Sequence, residues 1–398
     1  MNSEFIKINH WLRPLSWLYG LAVGVRNELF NLNILRSRKY DIPIISVGNI
    51  TVGGSGKTPH VEYLIRLLKN RYKVAVLSRG YKRRSHGYHS ATLETPMNVI
   101  GDEPYQLKHK FADEIHVAVD KCRCHGIERI ISDDETSNTD VILLDDAYQH
   151  RYVYPGINIL LVDFNRLLHN DELLPAGRLR EPVSEKKRAD IVIVTKCPKK
   201  MSPLDYRVLS KSMNLYPFQE LYFTTYTYSS LQAVFPNEAN ATTIGLRDLK
   251  HYNILLITGI ALPEHLEKDL LTYVKKKHLF KLIFPDHHAF TNSDIENINS
   301  TFSNISQPKI IITTEKDQAR LISIEGLSTD VRNNIYYLPI QVEFKLNDEL
   351  RFNAKIVSYV RKNSRNSQMV ENSNEWETND SSNFRNRSRT IIFRNNRK

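Results

Sequence analysis

The chain has 398 residues, of which 41% are hydrophobic and 25% are charged, proportions that are ordinary for a globular protein. This composition excludes collagen-like, coiled-coil and wholly disordered proteins, and the length suggests two or three domains. Three cysteines are too few for a disulfide framework, which favours a reducing compartment. Cys122, Cys124 and His125 lie close together, but a structural zinc site needs a second ligand pair, and we find none in the sequence.

The net charge of +11 is concentrated at the two ends of the chain. Residues 1–40 carry +4 and residues 363–398 carry +3. A nucleic-acid-binding protein would instead present a basic stripe with aromatic residues on a folded face, so we expect no nucleic acid partner. Basic ends suit contact with an anionic membrane surface, where each nearby cation contributes about 1 kcal/mol.

The first 40 residues predict a helix that lies in a membrane interface. The apolar run at 15–25 is shorter than the stretch that a membrane-spanning helix requires. Interfacial helices carry aromatic and basic residues of the kind found here, namely Trp11, Arg13, Trp17 and Arg26. The alternative is an amphipathic helix packed on the protein itself, which the proline and two glycines in this region make less favourable.

From residue 41 the chain alternates short apolar runs with amphipathic segments, which predicts parallel sheets covered by helices on both faces. The first series of predicted strands is 43–47, 73–77, 115–119, 141–144, 157–162 and 191–195, with helices at 60–69 and 121–131. The second series is 221–228, 254–258, 280–284, 310–314 and 335–339, with helices at 264–276 and 294–304. The two series indicate two α/β units, the second of them smaller.

The strongest motif is the run from Ser46 to Pro59, SVGNITVGGSGKTP, which follows a predicted strand and opens a predicted helix. A phosphate-binding loop requires this context, because glycines let backbone N–H groups surround phosphate oxygens at a helix N-terminus. We expect Lys57 to reach the β- and γ-phosphates and the Thr58 hydroxyl to bind Mg²⁺. Thr51 stands where the usual pattern has its first glycine. The alternative is a glycine-rich turn that binds nothing.

The second motif is an apolar strand that ends in two acids, Asp145 and Asp146. Adjacent carboxylates at the end of a buried strand are costly unless a cation or hydrogen-bond donors compensate them. Together with a phosphate-binding loop, this pattern predicts Mg²⁺ ligands. The alternative is that the two acids cap a helix.

Four weaker clusters of polar residues lie at turns or strand ends: 101–104, 174–182, 284–290 and 313–317. Polar residues at the carboxyl ends of parallel strands lie on the ligand-binding edge of a sheet. In the second cluster, Arg178 and Arg180 could hold phosphate and Glu181 could extend the metal shell. Taken alone, each cluster is more often a solvated loop than a site.

Together these motifs resemble those of the tetraacyldisaccharide 4′-kinases, the lipid A kinase family. The matching segments occur in family order: 47–59, 78–81, 101–104, 145–150, 174–182, 286–287 and 314–317. Thr51 in place of the first glycine is itself characteristic of that family. Ala147 and Tyr148 depart from it, since family members often have glycine and a bulky residue there.

The resemblance implies an ATP-dependent kinase that phosphorylates the 4′-hydroxyl of a tetraacylated glucosamine disaccharide 1-phosphate in lipid A biosynthesis. It implies a peripheral or monotopic protein at the cytoplasmic face of the inner membrane, in contact with this lipid and an anionic membrane surface. The implied fold is α/β, with a P-loop NTPase-like parallel-sheet domain, a second, smaller α/β domain and an N-terminal membrane-associated helix. We predict the regions as interfacial helix (1–40), P-loop kinase domain (41–215), smaller domain with linker strands (216–362) and disordered tail (363–398).

The resemblance also implies roles for residues that match the family motifs. The ATP phosphates would be cradled by Thr51, Val52, Gly53, Gly54, Ser55, Gly56, Lys57 and Thr58. Mg²⁺ would be bound by Thr58, Asp145, Asp146 and Glu181. Asp102 and His287 would form a catalytic pair that takes the proton of the sugar hydroxyl, while Lys57 stabilises the transferred charge.

Other functions stay open at this point. One is a different membrane-recruited P-loop NTPase, such as a GTPase or an ATP-dependent ligase. Another is a nucleotide-binding scaffold at a membrane, without catalytic activity. Within the kinase interpretation, Asp286 and His287 could merely cap a turn, and His288 could be the residue that matters.

Overall fold

The computed structural model describes residues 8–260, 263–286, 288, 290–322 and 324–364. Apart from its first two residues, the predicted tail at 363–398 lies outside this set, and so do the first seven residues of the chain. Among the described residues, no helix is both long and apolar enough to cross a membrane.

Two β-sheets form the framework of the molecule. The strands of the first sheet are β1 (Ile44–Gly48), β2 (Val74–Ser78), β3 (His89–Ser90), β4 (Ile115–Val119), β5 (Val141–Asp145), β6 (Ile157–Asp163), β7 (Ile191–Thr195), β8 (Glu220–Tyr228) and β15 (Ile340–Phe344). Their order across the sheet is β15-β8-β7-β6-β1-β5-β2-β4-β3. The seven inner strands pair in parallel, and the two edge strands are antiparallel to their neighbours.

The second sheet is smaller. Its strands are β9 (Leu231–Ala233), β10 (Thr243–Ile244), β11 (Asn253–Thr258), β12 (Leu279–Ile283), β13 (Lys309–Thr314) and β14 (Ile335–Leu338). They lie in the order β10-β9-β14-β13-β11-β12, with the four longer strands parallel. The chain is therefore an α/β protein with mainly parallel sheets, as predicted.

Helices follow most of the strands. They are α1 (Arg13–Asn31), α2 (Lys57–Leu68), α3 (Met97–Ile100), α4 (Asp102–Phe111), α5 (Arg123–Ser132), α6 (Pro203–Met213), α7 (Pro263–Leu270), α8 (Asn292–Ser303), α9 (Glu315–Leu321), α10 (Thr329–Asn334) and α11 (Glu349–Asn363). Alternate residues of β1 contribute to different apolar clusters: Ile45 and Val47 to one, Ile44 to another. The first sheet is thus buried on both faces, which explains its nearly continuous apolar runs.

One predicted strand lies in a different sheet from the one expected. We placed 221–228 in the second series, but β8 pairs in parallel with β7 and antiparallel with β15, both in the first sheet. The apolar pattern identifies a strand without identifying its partner, because pairing depends on contacts distant in sequence. After β15 the chain ends in α11, where Tyr359 Oη accepts a hydrogen bond from Ile44 N at 3.1 Å. The chain therefore returns to the first sheet after building the second.

Candidate active site

A glycine-rich loop joins the end of β1 to the start of α2. Gly56 precedes the helix with a φ of 87°, a left-handed conformation that favours glycine. Asn49 is fully buried, and its Nδ2 donates to Ser55 Oγ at 2.7 Å across the loop. Arg180 N donates to Ile50 O at 2.7 Å, so the loop is tied to the segment that carries Arg180.

The predicted phosphate-binding residues form a continuous path along this loop. Thr51 forms a bridge with Leu179, and Val52 N donates to Arg178 O at 2.8 Å. Three residues form an exposed tip: Val52, Gly53 and Gly54. Thr58 lies in the first turn of α2 and is only 8% exposed. The loop thus presents backbone to solvent while both of its ends are held by neighbouring segments.

Asp145 is the last residue of β5, and it is buried at the end of the strand next to β1. Ser78 Oγ lies 3.5 Å from its Oδ2, whereas Oδ1 has no hydrogen-bond partner among the described residues. Burial, reinforced by the charges of Asp146 and Glu103, raises the pKa of Asp145 to about 7. An unpartnered, buried carboxylate oxygen is unfavourable unless a donor or cation meets it.

Asp146 is surrounded by cations. Its Oδ1 lies 3.6 Å from Lys57 Nζ, and both of its carboxylate oxygens lie 3.3 Å from Arg180 Nη1. Burial raises the pKa of Asp146, but the charges of Lys57 and Arg180 outweigh this effect and leave that pKa below its usual value. The structure therefore brings Lys57, Asp146 and Arg180 together at the loop.

Glu181 has a different environment from the two strand-end acids. It is 1% exposed, and its Oε2 lies 2.5 Å from Arg188 Nη2 and 3.4 Å from Gln149 Nε2. Burial raises its pKa, and its Oε1 has no hydrogen-bond partner within the described part of the chain. Asp145, Asp146 and Glu181 do not form a compact metal-binding cluster, since no group of three or more His, Cys, Asp or Glu residues does so among the residues described.

Asp102 begins α4, directly after Gly101 with its φ of 90°. Its Oδ2 lies 2.5 Å from Arg320 Nη2, and Arg320 belongs to α9, which follows the second sheet's β13. The next residue, Glu103, is near enough to Asp145 to raise that residue's pKa. The start of α4 therefore lies between Asp145, at the end of a strand of the first sheet, and Arg320, on a helix that follows a strand of the second sheet.

His287, the predicted partner of Asp102, lies outside the described residues. Its neighbour His288 already contacts several residues. His288 Nε2 lies 2.9 Å from Asp294 Oδ2, and its ring stacks on Phe284 with centroids 4.9 Å apart. Because Asp294 caps the start of α8, these contacts give His288 a structural role.

Helix α1 holds the loop that carries Arg180. Tyr19 Oη donates to Arg180 O at 2.8 Å, and Ser16 Oγ donates to Leu173 O at 2.9 Å. The opposite face of α1 is exposed and apolar, with Trp17 75% exposed. The helix therefore packs on the protein with one face, as the second of our two interpretations expects, and leaves another face exposed.

Our sequence analysis assigned no role to three cations and an amide at this site, although the amide lies within the matching segment 145–150: Arg123, Arg188, Arg320 and Gln149. Arg123 is buried and donates from Nη2 to the backbone oxygen of Asp145 at 3.1 Å. No nearby motif points to Arg123 or Arg188. Arg320 had a weak signal, because it stands three residues after Asp317 and so lies on the same helix face.

Known proteins share this architecture and sequence. The profile of the family described as tetraacyldisaccharide-1-P 4′-kinase matches residues 8–361. A protein named tetraacyldisaccharide 4′-kinase from Phocaeicola vulgatus is 56% identical over 369 residues, covering 92% of this chain and 99% of that protein. One of the same name from Bacteroides thetaiotaomicron is 50% identical over 380 residues, covering 94% and 99%.

The fold agrees with this similarity. The crystal structure of the "apo" form of LpxK from Aquifex aeolicus in complex with ATP superposes with a TM-score of 0.67. The two chains are 27% identical, and the match covers 88% of this chain and 99% of that one. The chain belongs to the tetraacyldisaccharide-1-P 4′-kinase family.

Proposed function

We propose that the glycine-rich loop is a P-loop that holds Mg-ATP and that Asp102 activates the acceptor of this kinase. The enzyme is a tetraacyldisaccharide 4′-kinase, which transfers the γ-phosphate of ATP to the 4′-hydroxyl of the lipid A precursor. The observation that carries the assignment of the site is the grouping of Lys57, Asp146 and Arg180 beside the buried, unpartnered Asp145 Oδ1.

The nucleotide site is proposed along Thr51 to Thr58. Gly56 allows the chain to turn into α2, where the helix N-terminus favours negative charge. Lys57 would exchange its contact with Asp146 for the β- and γ-phosphates, and Arg180 would add a second cation. Lys57 and Arg180 would both stabilise the negative charge of the transferred phosphoryl group.

The donor set fits Mg²⁺, which prefers oxygen ligands. Asp145 Oδ1 lacks a partner within the described chain, and the Thr58 hydroxyl lies in the first turn of the following helix. Asp146 and Glu181 stay proposed metal residues, although each carboxylate already meets an arginine. A protein cage of three carboxylates is not needed, because Mg²⁺ usually keeps waters and phosphate oxygens as ligands. The ion supplies charge neutralisation at the β- and γ-phosphate oxygens.

We assign proton abstraction to Asp102, assisted by His287. A sugar hydroxyl becomes a competent nucleophile when a positioned base takes its proton as the bond to phosphorus forms. Asp102 lies at the start of α4, and the residue after it, Glu103, is near enough to Asp145 to raise the pKa of that carboxyl. Asp102 Oδ2 accepts a hydrogen bond from Arg320 Nη2 of helix α9.

The transfer assay tests this assignment with γ-labelled Mg-ATP and the detergent-dispersed acyl disaccharide 1-phosphate. Lys57→Ala is expected to lower kcat by about 10²–10³, because it removes a main electrostatic stabiliser. Lys281→Ala serves as a control, since Lys281 pairs only with Glu267 at the surface of the second sheet among the contacts described. Wild-type turnover by Lys57→Ala under saturating Mg-ATP would refute the nucleotide site.

We further propose that the exposed face of α1 docks on the anionic cytoplasmic surface of the inner membrane. The exposed Trp11 lies just before the helix, and the face itself carries large apolar side chains that are at least half exposed: Leu15, Trp17, Leu18, Leu21 and Val25. A contiguous patch of this kind marks an interaction site rather than an ordinary surface. Its position opposite the packed face would leave the Arg180 segment next to the bilayer that holds the substrate.

Vesicle co-sedimentation tests this docking. Trp17→Ser and Leu21→Ser are each expected to weaken binding to anionic vesicles about tenfold or more, because burying a large apolar side chain contributes about 1.5–3 kcal/mol. Leu350→Ser is the matched control, since Leu350 is 81% exposed but lies on α11. Equal binding by all three variants would show that α1 does not dock there.

A further inference from the structure

Arg320 connects two carboxylates that belong to different parts of the fold. It lies on α9 and is 7% exposed. Its Nη1 donates to Asp317 Oδ1 at 3.1 Å, and its Nη2 donates to Asp102 Oδ2 at 2.5 Å. The Arg320 guanidinium therefore links Asp317, which lies on the helix after β13 of the second sheet, to Asp102, the first residue of α4.

Asp317 gives this arginine a rigid support. The side chain of Asp317 is fully buried, and its Oδ2 accepts from Gly259 N at 2.9 Å and from Thr314 Oγ1 at 2.7 Å. Thr258 Oγ1 donates to the same oxygen at 3.2 Å. These donors come from the carboxyl ends of β11 and β13, so the position of Arg320 is fixed by the second sheet.

A second bridge crosses the same junction without touching Asp102. Lys110 of α4 lies 2.6 Å from Glu62 Oε2 and also pairs with Glu315 of α9. Gln106 Nε2 adds a hydrogen bond to Glu62 Oε1 at 3.0 Å. The contact between α4 and α9 therefore has its own polar support, and the Arg320–Asp102 bond is not needed merely to join the two helices.

We propose that Arg320 is a positioning residue for phosphoryl transfer, which holds the Asp102 carboxylate oriented toward the acceptor hydroxyl. The inference rests on the proposed function, in which Asp102 takes the proton. The planar guanidinium reaches two carboxylates at once, whereas a lysine supplies a charge without this fork. The second sheet thereby controls the geometry of a base in the first.

Steady-state kinetics with saturating Mg-ATP test the proposal. Arg320→Ala is expected to lower kcat about tenfold to a hundredfold, as the loss of an orienting hydrogen-bond partner does for the ligands of a metal site. The KM for ATP should stay near the wild-type value, because Arg320 is assigned no contact with the nucleotide. Arg320→Lys should recover part of the lost kcat, and methylguanidinium added to Arg320→Ala should do the same.

Two outcomes would overturn the proposal. One is wild-type kcat in Arg320→Ala. The other is a loss of kcat in Arg320→Ala that neither Arg320→Lys nor methylguanidinium restores, together with an equal loss of kcat in Lys110→Met. That pattern would indicate that the contact between α4 and α9 is purely structural. Asp102→Asn separates this proposal from the function itself: an inactive Asp102→Asn with an active Arg320→Ala refutes only the role of Arg320, whereas an active Asp102→Asn refutes the assigned base.

Discussion

Asp145→Asn is expected to stabilise the metal-free protein at pH 8 while it removes kinase activity. The Asp145 carboxyl is buried, and its pKa rises from 3.8 to about 7. The folded state therefore binds this proton more tightly than the unfolded chain does. The resulting loss of stability is absent below about pH 3.8, grows as the pH rises toward 7 and is complete above 7.

The magnitude follows from the size of the shift. At about 1.4 kcal/mol per pH unit, a rise from 3.8 to about 7 destabilises the folded state by about 4 kcal/mol at pH 8. At pH 5 the same linkage gives less than half of that destabilisation. An asparagine has nearly the shape of an aspartate and no charge to desolvate. The free energy of unfolding should therefore rise more at pH 8 than at pH 5.

Urea unfolding in EDTA at pH 8 and pH 5 measures this difference, and Asp146→Asn is the matched control. Asp146 has its pKa lowered by Lys57 and Arg180, so the same substitution there should destabilise the protein. Asparagine also tolerates the positive φ of 47° at Asp146. If Asp145→Asn destabilises the protein as much as Asp146→Asn does at pH 8, the argument from burial is wrong.

Two further predictions concern the loop and the histidines. Gly56→Ala is expected to destabilise the protein by about 1–3 kcal/mol in thermal unfolding and to weaken ATP binding, because its φ is positive and an added Cβ would lie 1.8 Å from Tyr226 Oη. Gly54→Ala, with open space at its Cβ position, should leave the unfolding temperature unchanged. His287→Ala should lower kcat and leave ATP affinity nearly unchanged, whereas His288→Ala should mainly lower stability through its lost contact with Asp294. Near-wild-type kinetics for His287→Ala together with damaged kinetics for His288→Ala would reverse that assignment.

The sequence was informative where a local pattern determines the structure. The strand that ends at Asp145 was predictable because a parallel strand buried on both faces is apolar along its length. The glycine-rich loop was predictable because the turn into α2 needs a positive φ at Gly56. In both cases the signal lies within a few neighbouring residues.

Local sequence patterns did not predict contacts between residues that are far apart in the chain. Asp102 and Arg320 are 218 positions apart, and no spacing rule connects them. Gly20 shows a second limit of sequence patterns. We took the two glycines of α1 as evidence against packing of this helix on the protein. An added Cβ at Gly20 would lie 2.8 Å from Leu173 Cδ1, so this glycine allows the close approach of the helix to the Arg180 segment. The boundaries of the four predicted regions stay predictions.

The chemical position of the transferred phosphate tests the central claim most directly. Purified chain is incubated with γ-labelled Mg-ATP and the detergent-dispersed tetraacylated disaccharide 1-phosphate, and the lipid product is analysed by mass spectrometry and NMR. The account predicts one added phosphate monoester on the 4′-oxygen, formed only when the acceptor is present and lost in Lys57→Ala. Release of the label as inorganic phosphate regardless of acceptor, or phosphate attached to any other oxygen of the lipid, would contradict it.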